Sequence, residues 1–273
     1  MNKELVFDNK NTIVNLSNSI LKHFNAPTHH NTIKEIDDVL ANHKKVVVML
    51  FDGLGTHIRK ANLDSKSSLN SHFLHRINAT YPPTTVASTT GFLSGEFPIE
   101  NGWLSWRQYY EELGCNILVF RSLDPDSKTY YPSRSKESIH RDNFPYDNLA
   151  VQINKANNKH IADIMFPKIL DSNGPKSLRQ YKKKVNKYLK DKDECFIYVY
   201  NTEPDYTIHG FGTSHKKTKR VIKQIDNMVD KLTKKNPDTL FLIIADHGLI
   251  NVNTVHVFEH DDFVNTFKHI PSF

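Results

Sequence analysis

Carboxylates and imidazoles fall at three points of this 273-residue chain where an apolar run has just ended. Val46-Val-Val-Met-Leu-Phe51 leads into Asp52-Gly53. Phe196-Ile-Tyr-Val-Tyr200 leads into Asn201-Thr-Glu-Pro-Asp205 and, four residues on, His209. Leu240-Phe-Leu-Ile-Ile-Ala245 leads into Asp246-His247-Gly248. Carboxylate oxygen and imidazole nitrogen are ligands of zinc and similar divalent ions. On a turn of helix Asp205 and His209 project from one side. A fourth segment, Thr80-Tyr-Pro-Pro-Thr84-Thr85-Val-Ala-Ser88-Thr89-Thr90-Gly91-Phe-Leu-Ser94-Gly95, places hydroxyl residues after a rigid Pro-Pro pair. That layout suits a hydroxyl at a helix N-terminus, where free N–H groups and the dipole favour an anion. Beside a metal such a hydroxyl becomes a nucleophile. Each piece alone also reads as ordinary structure: a turn at Asp-Gly, a capping Asp-His pair, an N-cap with a Ser/Thr-rich first turn.

The elements that must position these residues are legible in the periodicity. Continuous apolar runs, as opposed to alternating ones, predict strands buried on both faces, as in a parallel sheet. Residues 46–51, 196–200 and 240–245 have this character, and Ile117–Phe120 is a weaker fourth. Ile13, Leu16, Ile20, Leu21 and Phe24 share a helical face. Thr32-Ile-Lys-Glu35 reads as a capping box opening a short helix through Ile36, Val39 and Leu40. Two further amphipathic stripes run over Leu178–Leu189 and Val221–Leu232. Strands alternating with helices predict an α/β fold with a mostly parallel sheet. Ligands of such sheets bind outside the carboxyl ends of the strands, so three aspartates and two histidines converge on one edge. The stretch from about 97 to 167, rich in aromatics, Asp, Ser and Pro, reads as an insertion decorating a single domain that spans 1–273.

Composition excludes several classes. The net charge is +6, with pI near 9.1, and short lysine runs at 182–184, 216–217 and 234–235 carry much of the excess. They read as solvated helix faces; no helix-turn-helix, RNA-binding or zinc-finger pattern accompanies them, so a nucleic-acid polymer is not the expected partner. No apolar run approaches the ~18 residues of a spanning helix, and the first residues hold no signal-peptide core. Two cysteines, Cys115 and Cys195, make neither a disulfide framework nor a cysteine-rich metal site. The expectation is a cytoplasmic protein with no membrane association.

With these motifs in chain order, the sequence resembles the alkaline phosphatase superfamily, in particular its type I phosphodiesterase/nucleotide pyrophosphatase branch. The residues that carry the resemblance are Leu50-Phe-Asp52-Gly53, Pro82-Pro-Thr-Thr85 with Ser94-Gly95 and Asn101-Gly102, Glu203-Pro-Asp205 with His209, and Ala245-Asp246-His247-Gly248. The resemblance implies an alkaline-phosphatase-like sandwich, its central sheet flanked by helices. It also implies a phosphoric ester hydrolase with two divalent metals, zinc first and manganese as a substitute. The family's nucleophilic Ser or Thr lies ten residues before the glycine of the Thr/Ser-Gly pair, which is Thr85 here. By the same carry-over Asp52, Thr85, Asp246 and His247 form one metal site, and Asp205 and His209 begin the other. The expected substrate is a small phosphoester or nucleotide. Trp103 and Trp106 are candidates to stack on a nucleobase and Arg107 to meet a phosphate; equally, those rings read as core. The family's remaining histidine comes from well downstream, whereas only 25 residues follow Gly248 here, with His256, His260 and His269 among them. On that basis the C-terminal part of the domain is expected to be missing. The same scaffold serves phosphomonoesterases, phosphonate hydrolases and phosphomutases, and a non-catalytic remnant or phosphate-binding module is the alternative from another class.

Overall fold

The computed structural model of the chain describes residues 8–135, 137–252 and 265–266. Six strands are present among them: β1 (Lys45–Phe51), β2 (Arg107–Tyr110), β3 (Cys115–Leu118), β4 (Ala162–Met165), β5 (Cys195–Asn201) and β6 (Thr239–Ile244). Four of them make one parallel sheet in the order β4-β5-β1-β6. The chain fills one side of β1 with β4 and β5 and then crosses to place β6 on the other. That reversal puts a topological switch point at the carboxyl end of β1, the place where open α/β sheets bind ligands.

Alternate side chains of each central strand enter different cores. Val46, Val48 and Leu50 of β1, with Phe196, Tyr198 and Tyr200 of β5, pack against the helices Ile13–His23, Thr85–Ser94 and Leu149–Asn157. Val47 and Met49, with Ile197 and Val199, pack against Leu178–Leu189 and Lys216–Lys235. Two covered faces explain the unbroken apolar runs.

Two local expectations fail for physical reasons. The fourth strand of the sheet is Ala162–Met165, not Ile117–Phe120. As an edge strand it pairs with β5 alone and tolerates Asp163, so it lacks a continuous apolar signature. Residues 115–118 instead pair antiparallel with β2 in a separate two-stranded ribbon, where one wet face suffices. The capping box at Thr32 is not formed: its hydroxyl donates to Asp37 Oδ2 at 2.8 Å, a carboxylate that also pairs with Lys22 at 2.6 Å. Ile33 is the N-cap there, with no side-chain bond. A capping box forms at Thr12 and Asn15 instead.

Among the described residues β6 has a strand neighbour on one side only, and Leu240, Phe241, Ile243 and Ile244 are partly buried. A cavity of about 1080 Å³ runs beside it as far as His247 and Gly248.

The turn after β1 depends on glycine. Gly53 has φ +71°, and a Cβ there would lie 2.6 Å from Leu249 Cδ1 and 3.1 Å from Asp205 Cβ. In contrast, a Cβ at Gly210, inside the helix Asp205–Phe211, would meet no atom within 4 Å. Gly53→Ala is therefore expected to lower the unfolding free energy by more than about 1 kcal/mol, and Gly210→Ala to raise it by about 0.4–1 kcal/mol, read from urea midpoints.

Candidate metal-dependent active site

Register carries Asp52 and Asp246 to the same level. Leu50 is opposite Ile244, and each aspartate lies two residues further along its strand. The third carboxylate is tied to the first through the backbone: Asp205 N–H donates to Asp52 O at 3.0 Å, just above Asp52 N–H to Asn201 O at 2.9 Å. The sheet ladder thus continues past the strand ends and draws three acids together.

Thr85 is the first residue of the helix Thr85–Ser94, capped by Thr84, whose hydroxyl accepts from Ala87 N–H at 3.2 Å. This helix is rich in hydroxyls and buried from Val86 to Ser94. It tolerates burial because the hydroxyls are satisfied locally: Thr89 Oγ1 donates to Thr85 O at 2.6 Å, Thr90 Oγ1 to Val86 O at 2.5 Å, and Ser88 Oγ pairs with Thr80 Oγ1 at 3.0 Å. Ser17 Oγ and Asn18 Nδ2 fasten its far end, donating to Phe92 O and Gly95 O at 2.7 and 2.9 Å. Thr85 Oγ1 alone of this series reaches the acids. It lies 3.4 Å from Asp52 Oδ1 and 3.0 Å from His247 Nε2.

His247 faces both strands' acids. Its Nε2 is 3.3 Å from Asp52 Oδ1 and 3.6 Å from Asp246 Oδ2. Nδ1 donates to Gly248 O at 3.1 Å, since a carbonyl can only accept, so Nε2 is the atom offered to the site. Burial works against a charged ring, yet the hydrogen bond to Asp52 and the charges of Asp246 and Asp52 raise its pKa to about 9. Asp246 is 0% exposed. Its Oδ1 accepts from Gly53 N–H at 3.0 Å and His247 N–H at 2.9 Å. Burial, and then the charge of Asp52, push Asp246 well above the usual carboxylate range and Asp205 upward.

Among the described residues, two buried carboxylate oxygens, Asp205 Oδ1 and Asp246 Oδ2, have no hydrogen-bond partner. A buried anion needs a compensating charge or donor, so each of these atoms is suited to face a cation. Among the described residues one trio of metal-ligating side chains, Asp52, Asp205 and His247, has donor atoms within 4.8 Å of one another. This donor set of oxygen and imidazole nitrogen suits a divalent ion such as zinc. His209 stands outside the trio: its side chain is 71% exposed, with Nε2 3.4 Å from Asp205 Oδ1, an ion-pair separation without hydrogen-bond geometry. Asp205 therefore sits with Asp52 and His247 as well as with His209. His256, His260 and His269 lie outside the described residues.

The aromatic candidates divide. Trp103 is 2% exposed, ringed by Phe120, His140 and Tyr146, and its Nε1 donates to Phe144 O at 3.0 Å. It is a core residue with no face left for a base, which corrects its assignment to substrate. Trp106 is 40% exposed and Arg107 begins β2, in the same ribbon. The loop before them touches the N-terminus of the helix Thr85–Ser94 through Thr84 Oγ1, which donates to Leu104 O at 3.3 Å. Asn101 and Gly102 shape the turn beyond that helix: Asn101 Nδ2 donates to Ser94 Oγ at 3.1 Å, and Gly102 takes φ +77°. Sequence reading missed Tyr200, whose hydroxyl donates to Asp52 Oδ2. Strand parity was the available signal, because Tyr200 is opposite Leu50 and shares its face.

No helix among the described residues is long and apolar enough to cross a membrane. Comparison with curated proteins finds no match. Among solved structures, the chain is similar to an inactive form of murine ectonucleotide pyrophosphatase/phosphodiesterase 5 in complex with AMP, at 15% identity and a TM-score of 0.48. That match covers 76% of this chain and 57% of the murine one, so the chain spans little more than half the length of that relative. The sequence pattern of the type I phosphodiesterase/nucleotide pyrophosphatase family matches residues 46–270, from the first residues of β1 through all three acidic strand ends. The chain belongs to the type I phosphodiesterase/nucleotide pyrophosphatase family.

Proposed function

We propose that this chain is a metal-dependent phosphoric ester hydrolase of phosphodiesterase/nucleotide pyrophosphatase type, with Thr85 as nucleophile. The observation that carries the reading is Thr85 Oγ1 at a helix N-terminus, 3.4 Å from Asp52 Oδ1 and 3.0 Å from His247 Nε2, in a cluster where two buried carboxylate oxygens have no hydrogen-bond partner among the described residues. Asp52, Asp246, His247 and Thr85 would hold one divalent ion, and Asp205 with His209 would contribute to a second; zinc is the first choice, manganese a substitute. Bound there, such ions supply Lewis acidity toward the phosphoryl oxygens and lower the pKa of a coordinated hydroxyl.

The residues of the chain do the rest. Thr85 Oγ1, its proton lost to water, attacks phosphorus and forms a phospho-threonine as the ester oxygen departs and takes up a proton from water. The N-terminus of the helix Thr85–Ser94 favours the phosphoryl charge. Water on the side of Asp205 and His209 then cleaves the phosphorus–Oγ1 bond, releasing the phosphate or phosphate monoester and restoring Thr85. Splitting the displacement in two replaces one hard step by two easier ones. A small phosphodiester or nucleotide is the substrate class, with Trp106 and Arg107 on the adjoining ribbon as its contacts.

Thr85→Ala is expected to lower turnover of a chromogenic phosphodiester by about 10³-fold or more, as removal of a nucleophile does. Thr89→Ala, whose hydroxyl is spent on Thr85 O, keeps turnover within about tenfold. Thr84→Ala removes the helix cap and costs about 1 kcal/mol of stability with a milder effect on rate. The reverse order for Thr84 and Thr85 would move the nucleophile to Thr84. Treatment with a chelator is expected to abolish turnover, and zinc or manganese to restore it in the wild type but not in Asp246→Asn. Undiminished turnover in chelator, with metal content at zero by mass spectrometry, would refute the metal assignment.

A further inference from the structure

Tyr200 belongs to none of the motifs, yet it makes the sole side-chain contact described for the far oxygen of Asp52. Its hydroxyl donates to Asp52 Oδ2 in the protein interior. The pair meets because β1 and β5 are parallel and in register: Leu50 is opposite Tyr200, and Asp52 is two residues on, on the same face. The ring has little freedom. Tyr200 is 6% exposed, its ring lies 6.2 Å from that of Phe166, and its backbone carbonyl accepts from the Tyr181 hydroxyl at 2.8 Å. Asp52 Oδ1 meanwhile faces Thr85 Oγ1 and His247 Nε2, at 3.4 and 3.3 Å.

A carboxylate can turn about its Cβ–Cγ bond and exchange its oxygens. With Oδ2 anchored by a donor on a neighbouring strand, only Oδ1 remains to face the site. We propose that Tyr200 is a positioning residue that fixes Asp52 with Oδ1 as its ligand atom and so sets the affinity of the site for a divalent ion. This rests on the reading of Asp52 as a metal ligand. Partners that orient a ligating carboxylate typically contribute about 10–100-fold to metal affinity.

The test is zinc titration of the metal-free full chain in competition with a chromogenic chelator, with thermal unfolding of each variant alongside. Tyr200→Phe keeps the ring and deletes only the donor, and is expected to weaken zinc binding about 10–100-fold. Tyr188→Phe is the control: its hydroxyl donates to Phe196 O at 2.8 Å near the other end of β5, so the same kind of buried bond is lost away from the site. It is expected to leave zinc affinity within about twofold of wild type. Adding Tyr200→Phe to Asp52→Asn should change zinc affinity by no more than about twofold, because the carboxylate to be positioned is gone. Wild-type affinity in Tyr200→Phe while Asp52→Asn is impaired would overturn the role of Tyr200 alone. An equal loss in Tyr188→Phe would overturn it too, since the effect would then be general destabilisation. Undiminished zinc binding in Asp52→Asn would overturn the ligand reading and this inference with it.

Discussion

Mutual repulsion of carboxylates at the end of one sheet is the constraint on which the site depends. Asp52, Asp205 and Asp246 are brought together by the parallel ladder, and Asp246 is sealed from solvent. Two like charges 4 Å apart at an effective dielectric of about 20 repel by roughly 4 kcal/mol. A whole domain has only about 5–15 kcal/mol of net stability, so such a cluster cannot stand uncompensated. The protein compensates in part. Gly53 and His247 N–H groups hold one oxygen of Asp246, Tyr200 holds one of Asp52, and the His247 ring faces both acids through Nε2. Among the described residues, Asp205 Oδ1 and Asp246 Oδ2 are left without a donor.

Much of the rest of the fold can be understood as support for that arrangement. Covering both faces of the sheet fixes β1 between β5 and β6, and with it the level at which Asp52 and Asp246 emerge. Gly53 lets the chain turn without striking Leu249 or Asp205, and Gly55 lets its backbone pass Gly248, whose Cα would lie 2.6 Å from any Cβ placed there. The helix Thr85–Ser94 is buried despite its hydroxyls because most of them bond back to nearby oxygens. The one hydroxyl at its first position faces the acids, where the helix dipole also favours an anion.

The amino-acid sequence by itself determined the three buried strands, the helices between them and the acidic residue that ends each strand. Continuous apolar runs and helical stripes are local signals, and a parallel sheet converts chain order into convergence at one edge. It also singled out Thr85 through spacing shared with a family. Tertiary structure alone decided the rest. Ala162–Met165 entered the sheet because an edge strand needs only one partner, which leaves no strong pattern in its composition. Trp103 went to the core while Trp106, three residues later, stayed open, since aromatic composition says nothing of which ring a ribbon turns inward. Asp205 joined Asp52 and His247 while His209 remained exposed, because helical spacing sets the relation of two neighbours and not their distance from another strand. Tyr200 found Asp52 across 148 residues of chain. A hydrogen bond between strands depends on register, and register is a property of the assembled sheet.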